Sequence, residues 1–356
     1  MELGLCVPSH VGDIDYIVRA EELGYARAWL ADSQMIWSDC YAALALAAQR
    51  TSRIGLGTGV AVSATRPAPV TAAAIGTIAA LAPGRTFLGV GTGNTAMRIM
   101  GEKPERIAAF EEYLRTLRPL LCGEEAQYRG RPIRHLMPDH GFVDFTHPIA
   151  LHVSGFAPRS LGLAGAWGDG AILPMPASPE MLEGMIALLE AGAVTAGRTF
   201  DRTNFPVTAL TTISVLDPGE PIDSPRIRAE CGAFAMASIH YLYDQWRQFG
   251  KPPPGHLAPI WDDYTAMLAD VPDDRLHLRI HAGHNCWVLP EEERFVTAET
   301  IAASCMVGTA DELVERLGAL ADAGLTGLML LPAWEPRYRV LERVGRDILP
   351  RLAVRT

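Results

Sequence analysis

Cysteine pairs, basic tracts and long apolar runs are all missing from this chain, and each gap removes a class of function. The six cysteines, Cys6, Cys40, Cys122, Cys231, Cys286 and Cys305, form no C-x-x-C spacing, so neither a zinc framework nor a disulfide framework is indicated. Cys6 and Cys122 sit in apolar runs, where a free thiol packs as a small hydrophobe. Charged residues make up only 20% and the net charge is −10, with no basic tract. A nucleic-acid or anionic-membrane surface is therefore not expected, although single basic side chains can still grip a phosphate. No apolar run is long enough to span a bilayer. The first residues form a strand, Glu2-Leu-Gly-Leu-Cys-Val7, rather than the basic start and cleavage site of a signal peptide, and a cytoplasmic protein is expected. No G-x-S-x-G elbow or P-loop occurs, which counts against serine hydrolases and P-loop NTPases.

What is present is an ordinary globular composition, 49% hydrophobic with 33 glycines and 26 prolines over 356 residues, enough for a large core. Short apolar runs alternate with helical patterns. Strands are expected at Glu2–Val7, Ala26–Ala31, from Ile54, Thr86–Val90, Ile149–Val153, Gly170–Leu173, Val207–Val215 and Gly327–Leu331. Helices are expected over about 13–23, 41–50, 70–81, 106–121, 179–191, 310–323 and 338–352. Gly24 and Gly324 stand where a helix stop is needed. The stretch Gly123–His147 reads as hairpin or loop. Short strands apolar on both faces and alternating with helices signify a parallel sheet covered by helices, and eight such units make a (β/α)8 TIM barrel. An open doubly wound sheet is the alternative, but its mark is absent: the first strand ends Val7-Pro-Ser-His10, not in G-x-G-x-x-G. Residues 217–297 break the rhythm after the seventh strand. An insertion there, within one barrel domain spanning 1–356, reads as a lid or substrate wall.

Two strand ends are rich in glycine: Arg53-Ile-Gly-Leu-Gly-Thr-Gly-Val60 and Thr86-Phe-Leu-Gly-Val-Gly-Thr-Gly-Asn94. On neighbouring parallel strands they would let a large flat ligand lie against bare main chain. A barrel puts its ligand at the C-terminal strand ends, which gathers His10, Asp32, Ser33, Gly59, Val60, Thr92, Gly93, Asn94, Ser154 and Gly155 around one mouth. Asp32 and Ser33 also read as caps of the following helix, and Thr92 and Asn94 as turn formers. His10 is a candidate proton donor, since histidine as a residue type changes charge near neutral pH, or is a solvated loop residue. The loop Ser154-Gly-Phe-Ala-Pro-Arg159 runs into a small-residue helix, a start that suits a phosphate held by amides and Arg159. His281 and His284, three apart, lack a third ligand fixed by spacing and read as substrate-side or lid residues rather than a metal site.

In these stretches the chain resembles the bacterial luciferase-like flavin family, and most of all its deazaflavin branch, similar to F420-dependent methylenetetrahydromethanopterin reductases. The resemblance is carried by Glu21-Glu-Leu-Gly-Tyr25 with Trp29-Leu-Ala-Asp32, by Ile54–Val60 with Arg66-Pro67, and by Gly84-Arg85 with Phe87–Gly93. It continues through Ser154-Gly155, Gly168-Asp-Gly170 and Val307-Gly-Thr309 with Ala323-Gly324. It implies a TIM barrel with an insertion after strand 7, a non-prolyl cis peptide at Gly59-Val60, and a homodimer. It implies coenzyme F420, with Asp32 facing the ring system, Thr92 to Asn94 at its edge, and the amides of Ser154, Gly155, Phe156 and Ala157 on the phosphate. The implied reaction is hydride transfer to or from a small organic substrate. If FMN binds instead, the implication is a two-component monooxygenase served by a separate flavin reductase; a non-catalytic flavin-binding protein is the further alternative. Ser33 stands where many members have histidine and Asn94 where some have a carboxylate, which leaves His10, Asp32 and Ser33 as candidate catalytic groups.

Overall fold

The computed structural model describes residues 1–353. Its elements, in order, begin with β1 (Glu2–Val7), α1 (Asp15–Leu23), β2 (Arg27–Leu30), α2 (Cys40–Arg50), β3 (Gly55–Val62), α3 (Ala68–Leu81), β4 (Thr86–Gly91), α4 (Asn94–Arg98) and α5 (Ile107–Leu121). A hairpin follows, β5 (Ala126–Tyr128) with β6 (Arg131–Ile133), then β7 (Ala150–Ser154), α6 (Pro158–Trp167), β8 (Gly170–Pro174), α7 (Pro179–Thr195), β9 (Val207–Thr211) and β10 (Ile213–Val215). The remainder is α8 (Pro225–Phe249), α9 (Ala258–Leu268), α10 (Leu276–Ile280), α11 (Ala298–Ser304), β11 (Met306–Gly308), α12 (Ala310–Asp322), β12 (Gly327–Leu330), α13 (Arg337–Asp347) and α14 (Leu349–Ala353).

Eight strands close a barrel in the order β1-β12-β9-β8-β7-β4-β3-β2, the (β/α)8 TIM architecture expected from the alternation. Its strands are buried on both faces; every position of β4 is buried, as a parallel sheet sheathed in helices requires. Local signals set the helix ends. Gly24 takes the left-handed conformation (φ 90°) that stops α1, and Pro67 precedes α3. Glu21, from α1, accepts the amides of Ser52, Arg53 and Ile54 at 2.6–3.1 Å and so fixes the entry into β3.

The chain divides into two compact units. One comprises Met1–Met97, Lys103–Leu210 and Ala319–Met329 and holds the glycine-rich strands and every candidate mouth residue. Inside it Trp29, Phe87 and His152 pack ring against ring, with centroids 4.3–5.7 Å apart. The other comprises Arg98–Glu102, Thr211–Gly318 and the chain from Leu330. The inserted segment supplies most of its apolar cluster, including Ile227, Met236, Tyr264, Leu276 and Phe295.

Three expectations are corrected. The seventh strand does not run unbroken from Val207 to Val215: β9 ends at Thr211, and β10 leaves the barrel to pair in parallel with β11. The last helix is broken at Ile348, where Pro350, lacking an amide proton, cannot continue the ladder of α13. Cys122 is exposed, because it lies just past α5 as its cap residue rather than on the buried face of that helix.

Candidate functional site

The parallel register puts the C-terminal ends of β1, β2, β3, β4 and β7 side by side. Between Thr58 and Ala61 the pairing of β3 with β4 slips, and the Gly59-Val60 peptide within that bulge is cis. Val60 is half-buried at the rim. A side-chain carbon at Gly91 would lie 2.9 Å from Val60 Cγ2 and 3.3 Å from Ser154 Cβ. Glycine there makes the cradle in which Val60 and Ser154 approach across three strands. Gly93 has φ 75° and turns the chain into α4, whose first residue, exposed Asn94, reaches solvent. Thr92 is half-buried and its carbonyl accepts the Glu105 amide at 3.0 Å. Thr92 and Asn94 thus shape a turn at the rim as well as lining it.

Asp32 lies just past β2 and only 4% of it is exposed. Its carboxylate pairs with Arg66 Nη1, and Arg66 Nη2 reaches Asp39 at 2.6 Å. The Arg66 guanidinium also lies over the Tyr41 ring, 4.9 Å from its centroid. Burial and the Asp32 carboxylate push the Cys40 thiol far up, so Cys40 is inert packing beside the pair. Helix α2 is capped not by Asp32 or Ser33 but by Asp39, which accepts the amides of Tyr41 and Ala42 at 2.9 and 3.0 Å.

Ser33 is half-buried, and its carbonyl accepts the Ile36 and Trp37 amides. The loop from Ser33 to Ser38 is tied to three neighbours. The Ser38 amide reaches the Ser9 carbonyl at 2.9 Å, Gln34 Nε2 reaches the Ala96 carbonyl at 2.9 Å, and Ser38 Oγ accepts the Val11 amide at 3.4 Å; Ser9 Oγ in turn donates to the Ala31 carbonyl at 2.7 Å, just before the loop. His10 is exposed. Its Nδ1 accepts the Gly12 amide at 3.1 Å, so the neutral ring carries its proton on Nε2.

The start of α6 is less open to an anion than its sequence implies. The Gly155 amide is used by the Ile172 carbonyl at 3.0 Å, and the Phe156 and Ala157 amides both donate to Ser160 Oγ, at 3.2 and 3.1 Å. The next amides, at Arg159 and Ser160, belong to the first turn, which lacks intrahelical acceptors. Arg159 and Phe156 are exposed there. Arg159 also lines an outer groove of about 860 Å³ along α5, α6 and α7 with Arg115, Arg118, Trp167 and Arg198.

His281 and His284 are buried in the second unit, each 3% exposed. A third histidine, His240 of α8, joins them, with ring centroids 6.0 Å from His281, which lies 5.6 Å from His284. His281 Nε2 meets Asp244 and His240 Nε2 meets Glu292, both at 3.2 Å. Among the described residues no group of three or more histidine, cysteine or acidic side chains is placed to hold a metal ion.

Sequence reasoning missed Ser9, Gln34, Ser38, Asp39 and Arg66 as the scaffold of the rim. Two carried a signal: Arg66 follows the glycine-rich strand in the motif Arg66-Pro67, and Asp39 directly precedes an alanine-rich helix, where a cap is favoured.

The chain is 32% identical over 346 residues to a 5,10-methylenetetrahydromethanopterin reductase of Methanolobus tindarius, covering 94% of both chains. It is 31% identical over 357 residues to an F420-dependent glucose-6-phosphate dehydrogenase of Intrasporangium calvum, covering 95% of this chain and 94% of that one. Among solved structures, the coenzyme F420 dependent tetrahydromethanopterin reductase of Methanopyrus kandleri superposes with a TM-score of 0.68 at 20% identity, covering 99% of each chain, which establishes the shared fold. The family model for luciferase-like monooxygenases matches residues 10–327, and the chain belongs to that family of oxidoreductases.

Proposed function

We propose that this protein is an F420-dependent oxidoreductase that transfers a hydride between the deazaflavin and a small organic substrate. The observation that carries the reading is the end-to-end match, at 31% identity, to a relative named for its F420 dependence. The rim is chemically suited to such a group. Val60 offers an apolar surface beside the Gly91 cradle, Ser154 lies against it, and Thr92, Gly93 and Asn94 continue the same edge. An anionic end would meet Arg159 and the first turn of α6. To use the Phe156 and Ala157 amides as well, it would have to displace the Ser160 hydroxyl.

When bound, the cofactor supplies the hydride chemistry. The chain's residues bind and orient the two reactants and move a proton. His10, its ring exposed in the loop after β1, is the group suited to deliver that proton; it would do so as the imidazolium, which requires protonation of Nδ1, the atom that otherwise accepts the Gly12 amide. Asp32 is engaged by a cation and serves as a fixed charge beneath the rim.

Equilibrium binding of F420 and of FMN, each followed by its absorbance, tests the reading. Saturable F420 binding with little for FMN is expected. Tight FMN binding with none for F420 would replace the reading with an FMN-dependent two-component monooxygenase, and binding of neither would remove the flavin-type assignment.

A further inference from the structure

We propose that Arg66 is the positioning residue of this site, a clamp that holds both ends of the β2–α2 loop and so fixes where Ser33 and the rim beside it stand. The inference rests on the proposed function for its consequence in cofactor binding, but the clamp itself is defined by geometry alone.

Asp32 immediately precedes the loop and Asp39 immediately follows it. Arg66 holds one with each terminal nitrogen. A guanidinium is a rigid planar fork, so two carboxylates bound to its two arms are fixed relative to each other, as a single ammonium could not fix them. Arg66 is itself immobilised. It ends a tight turn after β3, where the Thr65 and Arg66 amides both go to the Val62 carbonyl, and its plane covers the Tyr41 ring. The strand that carries Gly59 and Val60 is thereby connected to the ends of the loop that carries Ser33.

The loop needs such a clamp. Met35 has φ 72°, a left-handed conformation that side-chain-bearing residues adopt only where the surroundings impose it. Its side chain is 84% exposed, so no packing of Met35 imposes it. The restraints come from the flanks: the Arg66 clamp, the Ser38–Ser9 bond and the Gln34–Ala96 bond. Ser9 also spans both ends, donating to the Ala31 carbonyl and accepting the Ser38 amide, but the clamp is the restraint that joins the two ends to the strand carrying Gly59 and Val60.

The test uses Arg66→Met, Arg66→Lys and Asp39→Asn. Amide exchange of residues 33–38 in the cofactor-free protein should rise at least tenfold in R66M and severalfold in R66K and D39N, with barrel-strand amides unchanged. F420 should bind at least tenfold more weakly to R66M and severalfold more weakly to R66K. The R66M affinity should also change with pH between 5 and 8 while that of R66K does not, because a buried carboxylate stripped of its cation takes up a proton. A general loss of stability would produce no such difference between the two variants. Wild-type exchange and affinity in R66M would overturn the proposal. If R66M does not fold, R66K and D39N decide it by loop exchange alone, and unchanged exchange in both overturns it. Failure of the wild-type protein to bind F420 would overturn the functional reading while leaving the exchange experiment to judge the clamp.

Discussion

The glycines of the two strand ends make room for protein. A side-chain carbon at Gly59 would lie 2.5 Å from Trp29 Cβ and 2.9 Å from Met329 Cε, closer than packed atoms approach. The Cβ directions at Gly59 and Gly91 are thus filled by Trp29 and Val60, and glycine is needed for the strands to close up. Bulk at Gly59 would strike the barrel interior before it met any ligand. Gly59→Ala is expected to lower stability by about 1–3 kcal/mol through overpacking, read as a lower urea midpoint with an unchanged slope; a wild-type midpoint would refute it. The positions of the rim were legible in the sequence, because alternating glycines at strand ends are a strong local signal. The reason for them was not, since a missing side chain does not reveal which neighbour occupies its place. Asp32 illustrates the same limit. Its position after β2 was readable, but its cation comes from a residue 34 positions away in the chain, and only folding brings the two together.

Among the elements, barrel strands and their helices were legible because their periodicity is local, and the departures arise where partner choice is not. Nothing in Val207–Val215 marks Thr212 as the point where the chain leaves one sheet for another, since β-branched residues suit both. In the second unit, spacing exposed His281 and His284, while His240 lies on α8, far earlier in the chain. Its arrival turns a pair into a buried polar cluster with two carboxylates. Glu292 is 1% exposed and accepts from Arg279 Nη1 at 3.1 Å as well as facing His240. Burial pushes its carboxyl up, but the bonds from His240 and Arg279 outweigh this and hold it below the usual range. Glu292→Ala would remove the acceptor of Arg279 Nη1 and the partner of His240 while Glu291 still pairs with Arg279 Nη2, so destabilisation of about 1–3 kcal/mol is expected. It should appear as a red shift of Trp246 and Trp261, which belong to the aromatic stack with Tyr243 and Tyr264. A variant with native fluorescence and an unchanged unfolding midpoint would show that the cluster carries no such share of stability.

Across the whole molecule, both units share one response to acid. In the barrel, burial and then the nearby Arg27 cation push His152 down to about 3. In the second unit, burial likewise lowers His240 and His284. Each of these rings is neutral in the folded state and takes up a proton in the unfolded chain below its ordinary value near 6.5. The unfolded state therefore binds more protons as pH falls below about 6.5, so stability is full above that point and declines beneath it, by up to about 1.4 kcal/mol per pH unit for each such histidine. For His152 the decline continues until pH approaches 3, where the folded ring also protonates. Carboxylates held low in the fold, such as Glu21 and Asp169, add their own losses only below about 4.5, which leaves pH 6.5 to 4.5 as a window governed by histidine. Ten histidines are visible in the sequence, but which of them are buried depends on the closed barrel and on the inserted segment together. His152→Asn removes one buried ring while leaving His240 and His284. Its urea midpoint should be lower than wild type at pH 7.5, yet fall less steeply between pH 6.5 and 4.5, by about one proton's share of the slope. Parallel wild-type and variant curves across that window would mean that His152 is protonated in the folded barrel, and the account of its burial beside Arg27 would be wrong.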